Sequence, residues 1–336
     1  MDKSQVVLGF SGGIDSVAAV NLLKNKGLRV TALTLDMCSN TSLIAKAKET
    51  AENIGVAFDS LNCTKLFEQE IKAYFIREYH QGRTPAPCTR CNPLIKWRLL
   101  LDYANRHNIY YIATGHYFRV VEYNSLLYVA RPADAKKDQS YYLWGLTQEV
   151  LKRIVTPMAD IIKEDIKRES ANKRESMGVC FLNGRPYSEF VGETPAGNIV
   201  DKTGAIVGKH NGISNYTIGQ KRGEGIPVAS SIIGIDKSSN CLIIGNNDDL
   251  LHTQLFIDDC NIIDESELMS SMDITVLVRG LGRNPEGFAK RIIATDNGGY
   301  HITLSSPAWA CAPGQPVVMY RDKRVIGGGY LTSSSK

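Results

Sequence analysis

What most constrains this chain is a rhythm. Over its first 120 residues, short β-branched runs alternate with segments of helical apolar period. QVVLGF (5–10) predicts a strand, and a glycine turn and an apolar-periodic helix over 14–26 follow it. RVTALTL (29–35) predicts the second strand and 42–54 the second helix. A third strand over 56–61, a long helix over 64–80, a Pro-rich loop over 84–93, a helix over 94–107 and a strand over 110–115 continue the series. Such alternation implies parallel strands with helices on both faces, an α/β doubly wound domain. From 146 to 227, charge-rich helical stretches alternate with turns such as Asn183-Gly184 and Asn211-Gly212, which predicts a small central connecting domain. After 228 the runs SIIGID, NCLIIG, DITVLVRG, AKRIIAT, YHITLS, PVVMY and VIGGGYL predict a C-terminal β-barrel, since closure removes exposed strand edges. The expected domains are therefore 1–145, 146–227 and 228–336.

The 336 residues are 43% hydrophobic and 22% charged, which excludes a disordered or fibrous chain. The opening MDKSQVVLGFSGG lacks a secretory apolar stretch, and no apolar run approaches the roughly 20 residues of a membrane span. The expectation is a cytoplasmic protein. Residues 1–145 carry 18 Lys/Arg against 13 Asp/Glu, whereas 228–336 carry 9 against 12, so the positive charge is N-terminal. Within 77–98, Arg77, Arg83, Arg90, Lys96 and Arg98 accompany only Glu78, which suits a polyanionic partner or a solvated helix face. Eight cysteines are too sparse for a disulfide scaffold. Cys38, Cys63, Cys241, Cys260 and Cys311 are expected to be small buried hydrophobes.

Ser11-Gly12-Gly13-Ile14-Asp15-Ser16 follows the first predicted strand and opens the first predicted helix. A loop in that place aims backbone N–H groups and the positive end of a helix dipole at an anion. It is neither the Walker pattern nor G-x-G-x-x-G. SGG-x-DS resembles the pyrophosphatase loop of ATP-dependent adenylating enzymes, which implies pyrophosphate on this loop and Asp15 near a Mg²⁺ ion.

A second signal is RTPAPCTRCN (83–92), where Cys88 and Cys91 precede a helix and stand beside Arg90 and Lys96. That setting predicts low-pKa, nucleophilic thiols. One C-x-x-C supplies two metal ligands where structural zinc needs four, and no second pair follows. A third signal is Met177-Gly178-Val179-Cys180-Phe181, which alone would suggest no more than a core cysteine.

Together with YIATGHY (111–117), KKDQSYYL (136–143), YTIGQKRG (216–223) and APGQPVVMY (312–320), these segments appear in an order that resembles the tRNA-specific 2-thiouridylases from about residue 5 to residue 330. The resemblance implies a PP-loop domain of the adenine nucleotide alpha hydrolase-like type, a connecting domain and a tRNA-binding barrel. It implies ATP-dependent adenylation of the C2 oxygen of a wobble uridine, then attack by sulfur, giving 2-thiouridine, AMP and pyrophosphate. Cys180 matches the persulfide-bearing cysteine and Cys91 its catalytic partner, which releases sulfur by forming a disulfide or yields to direct persulfide attack. Their separation implies a mobile loop over 172–184. Gly9, Phe10, Ser11, Gly12, Gly13, Ile14, Asp15, Ser16, Leu35 and Gly115 match ATP-contacting positions. His116, Lys137, Asp138, Gln139, Arg279, Gly280 and Gln315 match positions that reach tRNA, and Ala86, Pro87 and Cys88 match the segment at the target base. Implied partners are tRNA and a persulfide carrier protein or cysteine desulfurase, with the enzyme itself a monomer.

The chain departs from the family at Cys88, where many members carry Asp, at Ala86, where many carry Asn, and at LDMCSNTSLI (35–44), which replaces a longer acidic and aromatic stretch. Cys88, Cys91 and Cys180 would also suit three irons of a [4Fe–4S] cluster, an alternative to the persulfide route. Three other readings stay open at this level: a PP-loop ligase or amidotransferase acting on a small molecule, a paralogue thiolating another RNA position, and an RNA-binding protein without chemistry.

Overall fold

The computed structural model describes residues 1–169, 178–182, 184–270, 273–280, 284 and 287–336. The chain forms two compact units, which it enters more than once. The first contains residues 1–71, 88–181 and 323–325, and the second contains 72–87, 182–322 and 326–336.

The first unit opens with β1 (Asp2–Gly9), α1 (Ile14–Asn25), β2 (Arg29–Asp36), α2 (Thr41–Asn53) and β3 (Ala57–Asn62). A short α3 (Thr64–Phe67) runs into a π-turn over Glu68–Lys72. In the second unit α4 (Ala73–His80) follows; the chain then returns with α5 (Pro87–Cys91), a second π-turn over Asn92–Lys96, α6 (Trp97–Arg106) and β4 (Ile109–Thr114). The strands lie in the order β3-β2-β1-β4, all parallel, with Val6 paired to both Val30 and Tyr111. β1 is buried on both faces, which explains its uninterrupted apolar run. Val6 and Leu8 pack with Ala19, Val20 and Leu23 of α1 and with Ala47 and Ala51 of α2. α6 packs on β1 and β4 from the other face, with Trp97, Leu100, Leu101 and Ala104 at the i, i+3, i+4 and i+7 spacing of one buried stripe. The doubly wound sheet therefore stands as expected. The strand order reverses between β1 and β4, and open α/β sheets bind ligands at such a point.

One expected loop is a helix. Residues 87–91 are helical and continue through the π-turn into α6, with Pro87 first, where its missing N–H costs nothing. A hairpin, β5 (Arg119–Tyr123) with β6 (Leu126–Ala130), and the short helices α7 (Gln148–Leu151) and α8 (Lys163–Glu169) complete the first unit. Cys180 and Phe181 also fall within it, although the sequence placed them in a central segment.

In the second unit, α9 (Tyr187–Val191) precedes β7 (Gly197–Val200), β8 (Ile206–His210), β9 (Ser231–Asp236) and β10 (Cys241–Gly245), which form a sheet in the order β8-β7-β10-β9. SIIGID and NCLIIG therefore belong to this sheet, not to the barrel. Ile199, Ile213, Tyr216, Ile232, Leu242 and Ile244 form its core. β11 (Leu251–Ile262), α10 (Glu265–Ser270), β12 (Ile274–Val278), β13 (Gly287–Ala294), β14 (Tyr300–Trp309), β15 (Pro316–Arg321) and β16 (Arg324–Ser335) follow. The six strands run β11-β14-β13-β12-β15-β16, and β16 pairs back on β11, closing the expected barrel.

The α6 stripe generates a stability prediction. Trp97 has no exposed surface, and its indole N–H has no hydrogen-bond partner. Trp97→Ala is expected to cost about 3–5 kcal/mol through the cavity left behind. Trp97→Phe, which removes that N–H and keeps a ring, is expected to cost less. Urea unfolding of both variants checks this, and equal losses would contradict it.

Candidate active site

The glycine loop is built as its sequence implies. Gly12 adopts φ +72°, and a Cβ there would lie 3.1 Å from the Ala47 Cα, so both conformation and space call for glycine. Gly13 caps α1 in extended conformation without a side-chain cap, which leaves the first helical N–H groups for an anion. Around them the Ser16 hydroxyl donates to the Gly13 carbonyl at 2.9 Å, and the Ser11 and Ser16 hydroxyls lie 3.3 Å apart. Phe10 is buried and bonded through its N–H to the Leu33 carbonyl, while its own carbonyl accepts from Thr34 Oγ1 at 2.7 Å. Gly115, just past β4, faces the loop from the other strand: a Cβ there would lie 3.1 Å from the backbone of Asp15 and Ser16. Gly9, Ile14 and the partly exposed Leu35 complete this edge, at the carboxyl ends of β1 and β2. The candidate nucleotide residues are thus assembled at the switch point.

Two residues here escaped the sequence reading. Lys163 is almost wholly buried, and its ammonium contacts Asp15 Oδ1. The Tyr117 hydroxyl donates to the same oxygen at 2.8 Å. The glycine loop lacks a lysine of its own, and α8 supplies one from 148 positions along the chain. The one local clue is that Lys163 opens a helix, where the dipole disfavours a cation and some other partner must hold it. Tyr117 lay within YIATGHY unremarked.

The thiols need a correction. Cys91 is 5% exposed within α5, and burial pushes its thiol up to about 12 despite the nearby Lys96 cation. Burial likewise raises Cys88, again against Lys96. Neither is the low-pKa thiol expected, because a five-residue helix buried in the unit offers less to a thiolate than desolvation removes. Cys180 is exposed, on a short 3₁₀ turn over Cys180–Leu182. Phe181 beside it is buried edge-on against Phe67, 5.7 Å between centroids. Cys88, Cys91 and Cys180 act on one another electrostatically, so the structure gathers the three thiols into one neighbourhood. Among the described residues, however, no three His, Cys, Asp or Glu side chains are placed to hold a metal ion, so the cluster's ligand set is not assembled. The segment expected to be mobile lies outside the described residues apart from 178–182 and 184.

The remaining candidates are more local. His116 accepts or donates at 2.7 Å between its Nδ1 and Thr114 Oγ1, and burial, helped by Lys96, pushes its pKa down to about 3. It is a neutral imidazole at physiological pH. Lys137 lies on a 3₁₀ turn, Asp138 is buried 3.8 Å from Arg131, and Gln139 accepts from the Tyr117 N–H at 2.9 Å, bracing the tyrosine that holds Asp15. The basic stretch is largely neutralised: Arg83 pairs with Glu78 at 2.8 Å, Arg90 with Glu70 at 3.6 Å and Arg98 with Asp102 at 3.3 Å. In the second unit, Gln315 donates at 2.8 Å to the carbonyl of Thr84, which lies just before Ala86 and Pro87 in sequence. Arg279, at φ +63°, donates to the Ile218 and Ala310 carbonyls at 2.7 and 3.0 Å, and Gly280 follows at φ +90°. The side chains of Arg279 and Gln315 thus have structural work inside this unit.

Three family models match the chain: a tRNA methyl transferase HUP domain over 4–184, a tRNA methyl transferase PRC-barrel domain over 188–246 and an aminomethyltransferase beta-barrel domain over 252–331. A tRNA-specific 2-thiouridylase MnmA 1 of Bacteroides fragilis is 33% identical over the full length of both chains. A tRNA-specific 2-thiouridylase MnmA of Clostridium perfringens is 32% identical over 99% of each. One from Clostridium botulinum is 33% identical over 98% of this chain and 99% of its own. Among the described residues, no helix is long and apolar enough to cross a membrane.

Burial decides thiol reactivity here. Iodoacetamide on the native protein at pH 8 is expected to label exposed Cys180 and Cys38 while sparing Cys88 and Cys91, followed by peptide mass spectrometry. Labelling of Cys91 ahead of Cys180 would contradict the assignment.

Proposed function

The chain belongs to the tRNA-specific 2-thiouridylase family, and from that premise we propose that it uses ATP to replace the C2 oxygen of a wobble uridine in tRNA with sulfur. The observation that carries this reading is the presence in one unit of two chemistries that the reaction requires: an anion cradle at the open end of α1 and a group of three thiols. A methyl transfer, the reaction for which two of the matching family models are named, gives those thiols no work.

In this reading the ATP phosphates lie on the N–H groups after Gly12 and Gly13, and Gly115 keeps the approach clear. Lys163 and Tyr117 fix the Asp15 carboxylate at the mouth of the loop. The carboxylate suits Mg²⁺, which commonly takes one or two carboxylates plus phosphate oxygens, and bound there the ion would offset the charge of departing pyrophosphate. Lys163 adds a fixed cation in a poorly solvated place, where it stabilises developing negative charge more than a solvated lysine would. Adenylation turns the uridine oxygen into part of a good leaving group, AMP.

Sulfur arrives on Cys180, whose exposure lets a persulfide-carrying protein or cysteine desulfurase reach it. Cys91, buried, supplies the second thiol: its attack on the persulfide frees sulfide for C2 and leaves a Cys91–Cys180 disulfide. Its raised pKa keeps it protonated at rest, which protects the loaded persulfide until substrate is bound. The unassembled ligand set at Cys88, Cys91 and Cys180 gives no support to the iron–sulfur alternative, and no step is routed through it. Localisation in the cytoplasm and a monomeric state accord with this reading.

Two sets of variants separate activation from sulfur transfer. Cys91→Ser and Cys180→Ser are expected to abolish 2-thiouridine while leaving ATP binding within about twofold, since neither touches the cradle. Lys163→Met and Asp15→Asn are expected to lower pyrophosphate release by about 10²–10³-fold while tRNA binding persists. Thiolation retained in either cysteine variant, or pyrophosphate release unchanged in either cradle variant, would overturn the corresponding role.

A further inference from the structure

Among the cysteines without a part in that scheme, Cys38 and Cys63 share an address. β2 and β3 are parallel neighbours whose last paired residues are Asp36 and Asn62. Cys38 stands two residues beyond the first and Cys63 one beyond the second, and both bond to Asp36. Its carboxylate accepts from the Cys38 N–H at 3.3 Å, while its carbonyl accepts from the Cys63 N–H at 2.9 Å and from the Cys63 thiol at 3.3 Å. The expectation that both are small buried hydrophobes fails for Cys38, which is exposed. Cys63 is buried.

The stretch that Cys63 opens leads directly to the reactive thiols. Phe67, four residues on, packs edge-on against Phe181, the neighbour of Cys180. Glu70 accepts from Arg90, the neighbour of Cys91, through its carbonyl at 3.2 Å and lies 3.6 Å from it through its carboxylate. Cys63 thus shares Asp36 with exposed Cys38, and the stretch it opens packs against the segments that carry Cys91 and Cys180. Burial, then Asp36 and Cys38, pushes the Cys63 thiol up to about 11, and Cys63 adds a small part to the rise at Cys91.

We propose that Cys63 and Cys38 form an internal dithiol that removes the disulfide left by sulfur transfer and carries it to the surface. This rests on the Cys91–Cys180 disulfide of the reading above. The Cys63 thiol attacks the Cys91 sulfur, forming a Cys63–Cys91 bond and breaking Cys91–Cys180; its proton ends on Cys180, which is reduced. Cys38 then attacks Cys63, forming Cys38–Cys63 and releasing Cys91 as a thiol that takes the Cys38 proton. Two thiols are oxidised and two reduced, so the exchange balances without an outside oxidant. An external dithiol protein or small thiol completes the cycle by reducing the disulfide at exposed Cys38.

The test loads the full-length protein with one equivalent of persulfide sulfur and supplies ATP and unmodified tRNA without reductant. Acid quenching and alkylation precede disulfide mapping by mass spectrometry. In the wild type, Cys38–Cys63 is expected to accumulate in step with 2-thiouridine. Cys38→Ser is expected to stop at Cys63–Cys91, and Cys63→Ser at Cys91–Cys180. With a dithiol protein as the only reductant, turnovers after the first are expected to slow by at least about tenfold in Cys38→Ser. If 2-thiouridine forms while Cys38 and Cys63 both remain free thiols, the relay is wrong and the function stands. If no 2-thiouridine forms in the wild type, the functional reading falls and takes the relay with it.

Discussion

A buried ammonium needs a counter-charge, and in this protein that requirement ties distant parts of the chain together. Lys163 sits at the start of a helix, nearly without exposed surface, and meets Asp15 at the mouth of the glycine loop. Left unpaired, it would cost several kcal/mol of desolvation. The pair therefore fixes α8 to α1, and Tyr117, bonded to the same carboxylate, adds the segment after β4. Three pieces of chain, at Asp15, Tyr117 and Lys163, converge on the strand ends where the sheet order reverses. The glycine loop takes its shape from Gly12 and Gly13, and this carboxylate ties it to α8 and to the segment after β4.

The thiols obey the opposite logic. The cradle places charge deliberately and compensates it, whereas Cys88 and Cys91 are kept neutral by burial although Lys96 lies nearby. A buried thiol held protonated reacts slowly until it gives up its proton, and an exposed one is reachable. In the proposed function, Cys91 in the interior and Cys180 at the surface would separate the step that receives sulfur from the step that spends it.

Much of this was legible in the sequence, for physical reasons. The parallel sheet could be read because β1 is apolar on both faces and its neighbours follow with helix-period segments between them. The glycine loop could be read because Gly12 needs both a positive φ and the absence of a side chain. What failed was long-range. Nothing near Lys163 in sequence names Asp15 as its partner, and nothing near Arg90 assigns its charge to Glu70, whereas Arg98 and Asp102 form a local i,i+4 pair. The low-pKa reading of the C-x-x-C pair failed because neighbouring charges are visible in a sequence and burial is not. SIIGID and NCLIIG were given to the barrel because strand pattern does not say which strand is the partner; β7 and β8 claim them.

The central claim is that one site couples ATP cleavage to sulfur insertion. The most direct measurement follows AMP, pyrophosphate and 2-thiouridine together, in one reaction of the purified protein with unmodified tRNA, ATP, Mg²⁺ and a persulfide donor. Equal amounts of all three, each absent when tRNA is omitted, are the predicted result. Pyrophosphate formed with no 2-thiouridine, at any persulfide concentration, would contradict the account and assign the cradle to another acceptor.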